Sequence, residues 1–413
     1  MKRFLIVFAS IVLSLMAIFL GFFVANIIND GIINDYIDSF QPVVIENQLK
    51  PEKDELGNYY FTTDEDFKVL HLTDIHLCGG IFSQEKDKKA LNAVAAMVTA
   101  EKPDLVVITG DISFAVPWYG TLNNSYAHNH FIRLMERLGV YWTVAFGNHD
   151  SEGYNYHNRA AVATMYEAES LEYCLFSKGP ANVFGECNHV INVRNTDGLI
   201  TKSLVMMDTN AYTDADPLGI LWDYEGVHDD QIEWYRDTIE HYTAYNNTIL
   251  ASLDESKKPE NEEDFTTVQS MLFTHIPLKE VRNAYDEYVN NDSQNTDNVS
   301  YIGGDVGEED PYVYCAEKDE LLFEAILELG STKALFYGHD HLNNFVLRYK
   351  GVTLSYGYSI DYSAYSGIDK LGYQRGCAVI TCAPDTSFEI THENYYQDKY
   401  TPLYEKETVD MTK

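Results

Sequence analysis

Five short apolar runs, each closed by a cluster of Asp, Asn or His, punctuate this chain. Val69-Leu70-His71-Leu72-Thr73 leads into Asp74-Ile75-His76, and Leu105-Val106-Val107-Ile108-Thr109 leads into Gly110-Asp111. Residues 141–146 precede Gly147-Asn148-His149-Asp150, residues 271–274 precede His275, and residues 334–337 precede Gly338-His339-Asp340-His341. Continuous apolar runs of this kind, bounded by Gly and polar residues, read as strands buried on both faces. Between the first three runs the period changes to that of a helix, over about 84–101, with Leu91, Val94, Ala95 and Val98 on one face, and over about 127–138. Strand, helix, strand, helix, strand implies parallel pairing through right-handed crossovers, and the carboxyl ends of such strands are where ligands gather.

From residue 154 to 228 the segments shorten and alternate, as in Val190-Ile191-Asn192-Val193, which predicts a second, more antiparallel sheet. A helix over about 229–245 follows, opened by Asp229 and Asp230 and faced by Ile232, Tyr235 and Ile239. Residues 253–264 and 285–314 read as surface insertions, the second placed to overhang the His-bearing segments on either side of it. Beyond His341, alternation at 345–349, 351–356, 377–381 and 387–391 predicts antiparallel strands that close the second sheet. One large core over 67–396, with a tail at 397–413, accommodates all of these elements.

Ahead of that core, Met1-Lys2-Arg3 precedes an apolar run from Phe4 to Ile28, interrupted by Ser10, Ser14 and Asn26. The run is long enough to span a bilayer, and its basic end belongs on the cytoplasmic side. Ala17 and Ala25 complete no small-x-small exit, so residues 1–29 read as an uncleaved signal anchor in the cell membrane, with secretion after cleavage as the alternative. Residues 30–66, polar and irregular, read as a stalk and lead-in segment outside the cytoplasm.

The net charge of -35 repels nucleic acid phosphates and anionic headgroups, so no nucleic-acid-binding surface is expected. An anionic ligand would have to be drawn by a local positive charge. The six cysteines, at 78, 174, 187, 315, 377 and 382, form no C-x-x-C. Cys174 with Cys187 is the favoured disulfide of an exported chain, and free buried thiols are the alternative; Cys377 and Cys382, at an odd offset, face opposite ways.

The polar clusters carry the candidate chemistry. Asp74 and His76, like His339 and His341, are two apart, so on extended backbone their side chains leave on one face and can grip one ion. Asp111 has two carboxylate oxygens with which to bridge a pair of ions, and Asn148 offers a neutral carbonyl oxygen. This mixture suits Zn, Fe, Mn or Ni and not the all-oxygen shells of Ca or Mg. No G-x-S-x-G or Cys-His signature competes with it. His71 has the opposite parity to Asp74 and reads as a hydrogen-bonded core residue, whereas His128, His130 and His157 read as surface histidines, with substrate contacts as the alternative.

Asp74-x-His76, Gly110-Asp111, Gly147-Asn148-His149-Asp150, His275 and Gly338-His339-x-His341, in this order, resemble the calcineurin-like metallophosphoesterase superfamily, which includes the purple acid phosphatases. Thr274-His275-Ile276-Pro277-Leu278, Gly330-Ser331-Thr332-Lys333-Ala334, Gly338 to Phe345 and Arg375-Gly376 are similar to its Dcr2-like and plant purple-acid-phosphatase-like branch. The resemblance implies an α/β fold, a two-sheet β-sandwich flanked by helices in four αββα layers, with the site at its edge. It implies two divalent transition-metal ions, Mn, Zn or Fe, with Asp74, His76 and His341 on the first, Asn148, His275 and His339 on the second, and Asp111 between them. His149 would be catalytic, meeting the phosphate or protonating the leaving group, with a carboxylate such as Asp150 to orient it. A hydroxide between the ions would attack the phosphorus in line, and about two positive charges would remain spare for the phosphate once Asp74 and Asp111 are neutralised.

The implied substrate is a phosphorylated small molecule or polymer, foremost a phosphomonoester. A phosphodiesterase or pyrophosphatase acting on nucleotides, phospholipids or envelope polymers is the alternative, and an inactive exported binding protein is a third reading. The chain departs from the purple acid phosphatases at one position: where they carry a metal-binding Tyr three residues after the bridging Asp, it has Phe114, which cannot ligate.

Overall fold

The computed structural model describes residues 2–309, 312–318, 321–365, 368, 375–401 and 406–409; Met1 and, within the expected tail, 402–405 and 410–413 lie outside the described residues. A long helix α1 (Lys2–Asp38) leads to the short strands β1 (Glu52–Lys53) and β2 (Tyr59–Thr62). The predicted βαβαβ unit follows as β3 (Phe67–Leu72), α2 (Gln84–Glu101), β4 (Leu105–Ile108), α3 (Ser125–Leu138) and β5 (Trp142–Val144). Next come α4 (Arg159–Tyr166), β6 (His189–Arg194), β7 (Ile200–Met206), α5 (Asp229–Ser252), α6 (Glu263–Thr266), β8 (Ser270–Phe273), α7 (Lys279–Asn290) and β9 (Val299–Gly303). The chain continues through α8 (Leu322–Leu329), β10 (Thr332–Tyr337), β11 (Val346–Tyr349), β12 (Val352–Tyr356), β13 (Gly376–Cys382) and β14 (Phe388–Asn394).

The described strands form two sheets, one of five in the order β14-β13-β3-β4-β5 and one of nine in the order β1-β2-β6-β7-β8-β10-β12-β11-β9. β3, β4 and β5 pair in parallel, in keeping with their largely apolar, buried runs. In the larger sheet β7, β8, β10 and β12 are parallel neighbours, with antiparallel pairs toward both edges. Alternation along β8 and β10 separates two cores. Met271, Phe273, Ala334 and Phe336 join the core shared with β3, β4, α2 and α3, while Leu272, Leu335 and Tyr337 join the core under α5, α7 and α8. Each Leu, Met or Phe among them, fully withdrawn from water, contributes about 1.5–3 kcal/mol. The result is the two-sheet sandwich flanked by helices.

Several local expectations change. The strands at 377–381 and 387–391 do not close the second sheet: β13 pairs antiparallel with β3 and extends the five-stranded sheet, covering an edge that β3 would otherwise leave open. The segment after residue 30 is no loose stalk at its start, because α1 runs on to Asp38 and buries Ile33, Tyr36, Ile37 and, just beyond it, Phe40. That half of α1 is tied to α3 by Asp30 to His130 Nε2, 2.8 Å, and by a two-point pair of Arg133 with Asp38, 3.0 and 2.7 Å. The 285–314 insertion contains the end of α7 and the edge strand β9. All six cysteines are buried and free, with Cys187 Sγ accepting from the Phe146 amide at 3.2 Å and not bonded to Cys174.

His71 is buried and hydrogen-bonded to Thr109 Oγ1 at 2.7 Å, as its parity predicts. His128 and His130, expected at the surface, are also buried; His128 bridges Tyr166 OH and the Asp150 carbonyl at 2.8 and 2.9 Å. Burial pushes His71 down to about 3 and His189 and His392 down to about 4. All three take up a proton near 6.5 once the chain unfolds, so stability is full above that pH and falls as pH drops from 6.5 toward 4, at about 1.4 kcal/mol per pH unit for each. The melting temperature of metal-free protein should therefore fall between pH 7 and pH 5; a protein equally stable at both would contradict neutral burial of these rings.

Candidate metal centre

The loops leaving β3, β4 and β5 meet those leaving β8 and β10, so the centre draws on the carboxyl ends of strands from both sheets. The backbone there is not extended. Asp74, His76, Asp111 and His339 have φ of 52°, 51°, 51° and 78°, the left-handed region, so the same-face geometry of an extended pair does not bring Asp74 and His76 together. Such residues cost roughly 1–3 kcal/mol each and persist only where surrounding contacts hold them. Here the holding contacts are backbone hydrogen bonds between the first two loops: Asp74 N to Gly110 O at 3.1 Å, His76 N to Asp111 O at 2.9 Å and Leu77 N to Ile112 O at 2.8 Å. Two glycines allow the close approach. A Cβ at Gly147 would sit 2.2 Å from Asp111 Oδ1, and one at Gly338 would sit 1.9 Å from Thr73 Oγ1 and 2.4 Å from Asp74 Oδ2.

All seven residues singled out as ligands lie in this one place. Asp74, His76, Asp111 and His341 offer ligand atoms within 4.8 Å of one another, and so do Asp111, His275 and His339, with Asp111 common to both groups. Asn148 joins the second, its Oδ1 3.2 Å from His275 Nε2, while its Nδ2 donates to Tyr212 OH at 2.8 Å and so fixes which end of the amide faces inward. His275 donates from Nδ1 to the Thr109 carbonyl at 2.6 Å, turning Nε2 toward Asp111 Oδ2 at 3.2 Å. His341 is held similarly, with Nδ1 3.3 Å from Asp361 Oδ2 and Nε2 3.5 Å from Asp74 Oδ1. Among the described residues, both ring nitrogens of His76 and Asp111 Oδ2 are buried without a hydrogen-bond partner. Buried ring nitrogens and carboxylate oxygens that converge without hydrogen-bond partners fit divalent cations, and the nitrogen and oxygen mixture fits transition metals.

The electrostatics point the same way. Burial would raise the Asp111 carboxyl, but His275, His149 and His76 outweigh it and hold the group well below the usual range. Burial likewise opposes charge on His275 and His341, yet Asp111 lifts the first and Asp361 with Asp74 the second, each to about 9. His339, buried and facing the His275 charge, is driven well below its ordinary value.

His149 lies at the rim, one-quarter exposed, its amide donating to Asp111 Oδ1 at 2.8 Å. The carboxylate on its ring is not that of Asp150: His149 Nδ1 lies 2.5 Å from Glu152 Oε1. Burial disfavours charge on His149, but Asp111 and Glu152 reverse this and raise it above 6.5. Asp150 instead accepts the backbone N–H groups of Asp111, Ile112, Ser113 and Gly147 at 2.8–3.1 Å. Phe114 packs edge-on against His76 and His149, with ring centroids at 5.4 and 5.2 Å. Glu152, Tyr212 and Asp361 escape sequence reasoning. Glu152 leaves a trace, three residues after His149, whereas Tyr212 and Asp361 arrive from distant segments with no local signature.

A two-sheet α/β sandwich with buried Asp and His clusters at its strand ends is the architecture of a dimetal phosphoesterase. Residues 67–343 match the calcineurin-like phosphoesterase family, and the chain belongs to it, as the resemblance implied. It is 26% identical over 338 residues to "Probable inactive purple acid phosphatase 29" of Arabidopsis thaliana, across 78% of this chain and 77% of that protein. It is 25% identical over 316 residues to "Phosphatase DCR2" of Saccharomyces cerevisiae, across 69% of this chain and 46% of that one. A crystal structure of a dimetal phosphatase from Danio rerio is similar at a TM-score of 0.46 and 12% identity, across 81% of this chain and 98% of that one.

Gly338→Ala should lower metal content, because its Cβ displaces Thr73 and Asp74, while far-ultraviolet circular dichroism stays unchanged. Full metal loading of that variant, measured by mass spectrometry of the purified protein, would contradict the crowding at this position.

Proposed function

We propose that the chain is a metal-dependent phosphoesterase that hydrolyses phosphomonoesters and is held at the membrane by α1, with residues beyond the helix outside the cytoplasm. The observation that carries this reading is the convergence of Asp74, His76, Asp111, His275, His339 and His341, with unpartnered buried atoms at His76 and Asp111. Asp74, His76 and His341 would hold one ion, Asn148, His275 and His339 the other, and Asp111 both. When bound, two such ions supply a nucleophile from water near neutral pH and neutralise the oxygens of the transferring phosphoryl group. Because Phe114 offers no ligand, the ions are Zn, Mn or Fe without a tyrosinate.

The chain's own groups do the rest. Glu152 holds His149 Nδ1, which leaves Nε2 to meet a phosphoryl oxygen or to give a proton to the departing alcohol. Thr109, Tyr212 and Asp361 orient His275, Asn148 and His341, the kind of support that commonly matters 10–100-fold in affinity or activity. Asp150 acts through the loops it ties together. The Arabidopsis relative carries "inactive" in its name, so activity here rests on this chain's own donors, Asp74, His76, Asp111, Asn148, His275, His339 and His341, all of which can bind a metal. The anchor reading rests on α1, whose residues 4–24, apolar but for Ser10 and Ser14, are exposed over a length sufficient to cross a membrane.

Manganese- or zinc-loaded protein should hydrolyse p-nitrophenyl phosphate faster than bis(p-nitrophenyl) phosphate. Asp111→Asn should abolish turnover with the fold kept, and Glu152→Gln should lower kcat about 10–100-fold. Fewer than one metal per chain together with no hydrolysis after reloading would refute the enzyme, and a faster diester would replace the monoester by the diesterase reading.

A further inference from the structure

Among the described residues, exposed large apolar side chains are scattered singly, as at Leu56, Val289 and Ile302, but run consecutively in the first half of α1 and again at residues 220–222 beside the metal centre. The rim feature is a loop closed by the antiparallel bridge between Tyr212 and Tyr224. Its base belongs to the centre, since Tyr212 holds Asn148 and the Tyr224 ring lies 4.7 Å from that of His339. Its tip is apolar: Leu218 is exposed, Ile220 and Leu221 each retain 73% of their accessible surface, and Trp222 retains 61%. The tip is also ordered from within, because Asp216 accepts the amides of Ile220 and Leu221 at 2.8 Å. Exposed Trp118 also lies beside the centre, its ring 6.2 Å from Phe114, which itself packs on His76 and His149.

These residues connect to α1. Exposed Phe82 packs on Phe22 of the helix at 6.0 Å, and exposed Tyr156 lines a crevice of about 260 Å³ with Phe19, Phe22 and Phe23. The Pro217 carbonyl at the tip's base abuts Gly153, where a Cβ would come within 2.4 Å of it. The height of this surface follows from the helix. Residues 4–24 rise about 1.5 Å each and fill the roughly 30 Å of a hydrocarbon core. Asn26 then binds the Gly120 carbonyl and the Ile81 amide at 2.8 and 3.0 Å, and Asn29 the Gly80 carbonyl at 3.1 Å. Loops 79–82 and 117–122 thus sit where the helix leaves the hydrocarbon, the level at which Trp and Tyr concentrate. A chain with a net charge of -35 gains nothing from anionic headgroups, so contact must come from apolar insertion.

We infer that the mouth of the metal centre opens onto the bilayer surface, with Leu218 to Trp222 and Trp118 seated among the headgroups, and that the substrate is a phosphomonoester carried on a lipid. This rests on the phosphoesterase and anchor readings above. In the reaction water adds to phosphorus, the bond from phosphorus to the lipid oxygen breaks, that oxygen takes a proton, and inorganic phosphate and the lipid alcohol leave.

Two measurements on the full chain in phosphatidylcholine nanodiscs test it. Lipids brominated near the headgroup should quench a tryptophan component that Trp222→Phe removes, whatever the activity. With phosphatidic acid in the disc, Ile220→Asp combined with Leu221→Asp should lower its hydrolysis about tenfold, a loss of about 1.4 kcal/mol in transition-state binding, and leave soluble p-nitrophenyl phosphate unchanged. An unquenched Trp222 overturns the surface, including the case in which another protein covers it. Unaltered phosphatidic acid turnover in the double variant, or equal losses on both substrates, overturns the lipid substrate. If metal-loaded wild type hydrolyses neither compound, the phosphoesterase reading and the lipid substrate fall together, while quenching still decides the surface.

Discussion

Four backbone N–H groups from two loops converge on the buried carboxylate of Asp150, and the geometry of the centre depends on that convergence. Asp111 can stand in a left-handed conformation because its own amide, those of the two residues after it, and that of Gly147 are all satisfied by one side chain. Without it these donors would be buried and unpaired, at a cost of about 1–3 kcal/mol each. The same clamp sets Asn148 and His149 against Asp111, since the His149 amide donates to Asp111 Oδ1. A carboxylate that touches neither metal-competent nitrogen nor the His149 ring thus organises the residues of the candidate metal centre.

The second constraint is the apposition of two sheets. Asp74, Asp111 and Asn148 come from the five-stranded sheet, while His275, His339 and His341 come from loops of the nine-stranded one. The sheets meet through Phe273 and Phe336, which stack on each other at 5.0 Å and pack edge-on against the buried His71 at 6.0 and 5.7 Å. Below that apolar contact the sheets share a dry core; at its upper edge their loops share a polar one. Water exclusion makes each unpaired acceptor there expensive, and that expense favours a cation between them.

Around this centre the surroundings divide the work. Glu152, Asp361, Thr109 and Tyr212 aim rings and amides inward, so ligand orientation comes from residues that carry no metal-binding signature of their own. The rim does something different. Its exposed apolar tip starts beside Gly153, and Tyr156, three residues further on, lines a crevice with Phe19, Phe22 and Phe23 of the half-docked α1.

The order of the ligands, their chemical types, the strands that precede them and the glycines beside them were all legible in the chain, because each is a local requirement written into adjacent residues. A helix at 84–101 and parallel β3, β4 and β5 followed from period and apolar runs alone. What the sequence could not decide depended on distant partners. Strands β13 and β14 have the same alternation whichever sheet they join, and only the open edge of β3 chose for them. The docking of α1 lay hidden in Ile33, Tyr36, Ile37 and Phe40 within a polar stretch whose partners on α3 come about a hundred residues later. Asp150 and Glu152 are both carboxylates near His149, and two residues of separation cannot tell a backbone clamp from a ring partner. The tertiary structure tells them apart because a side chain's role is set by which unsatisfied group it meets once the loops have closed.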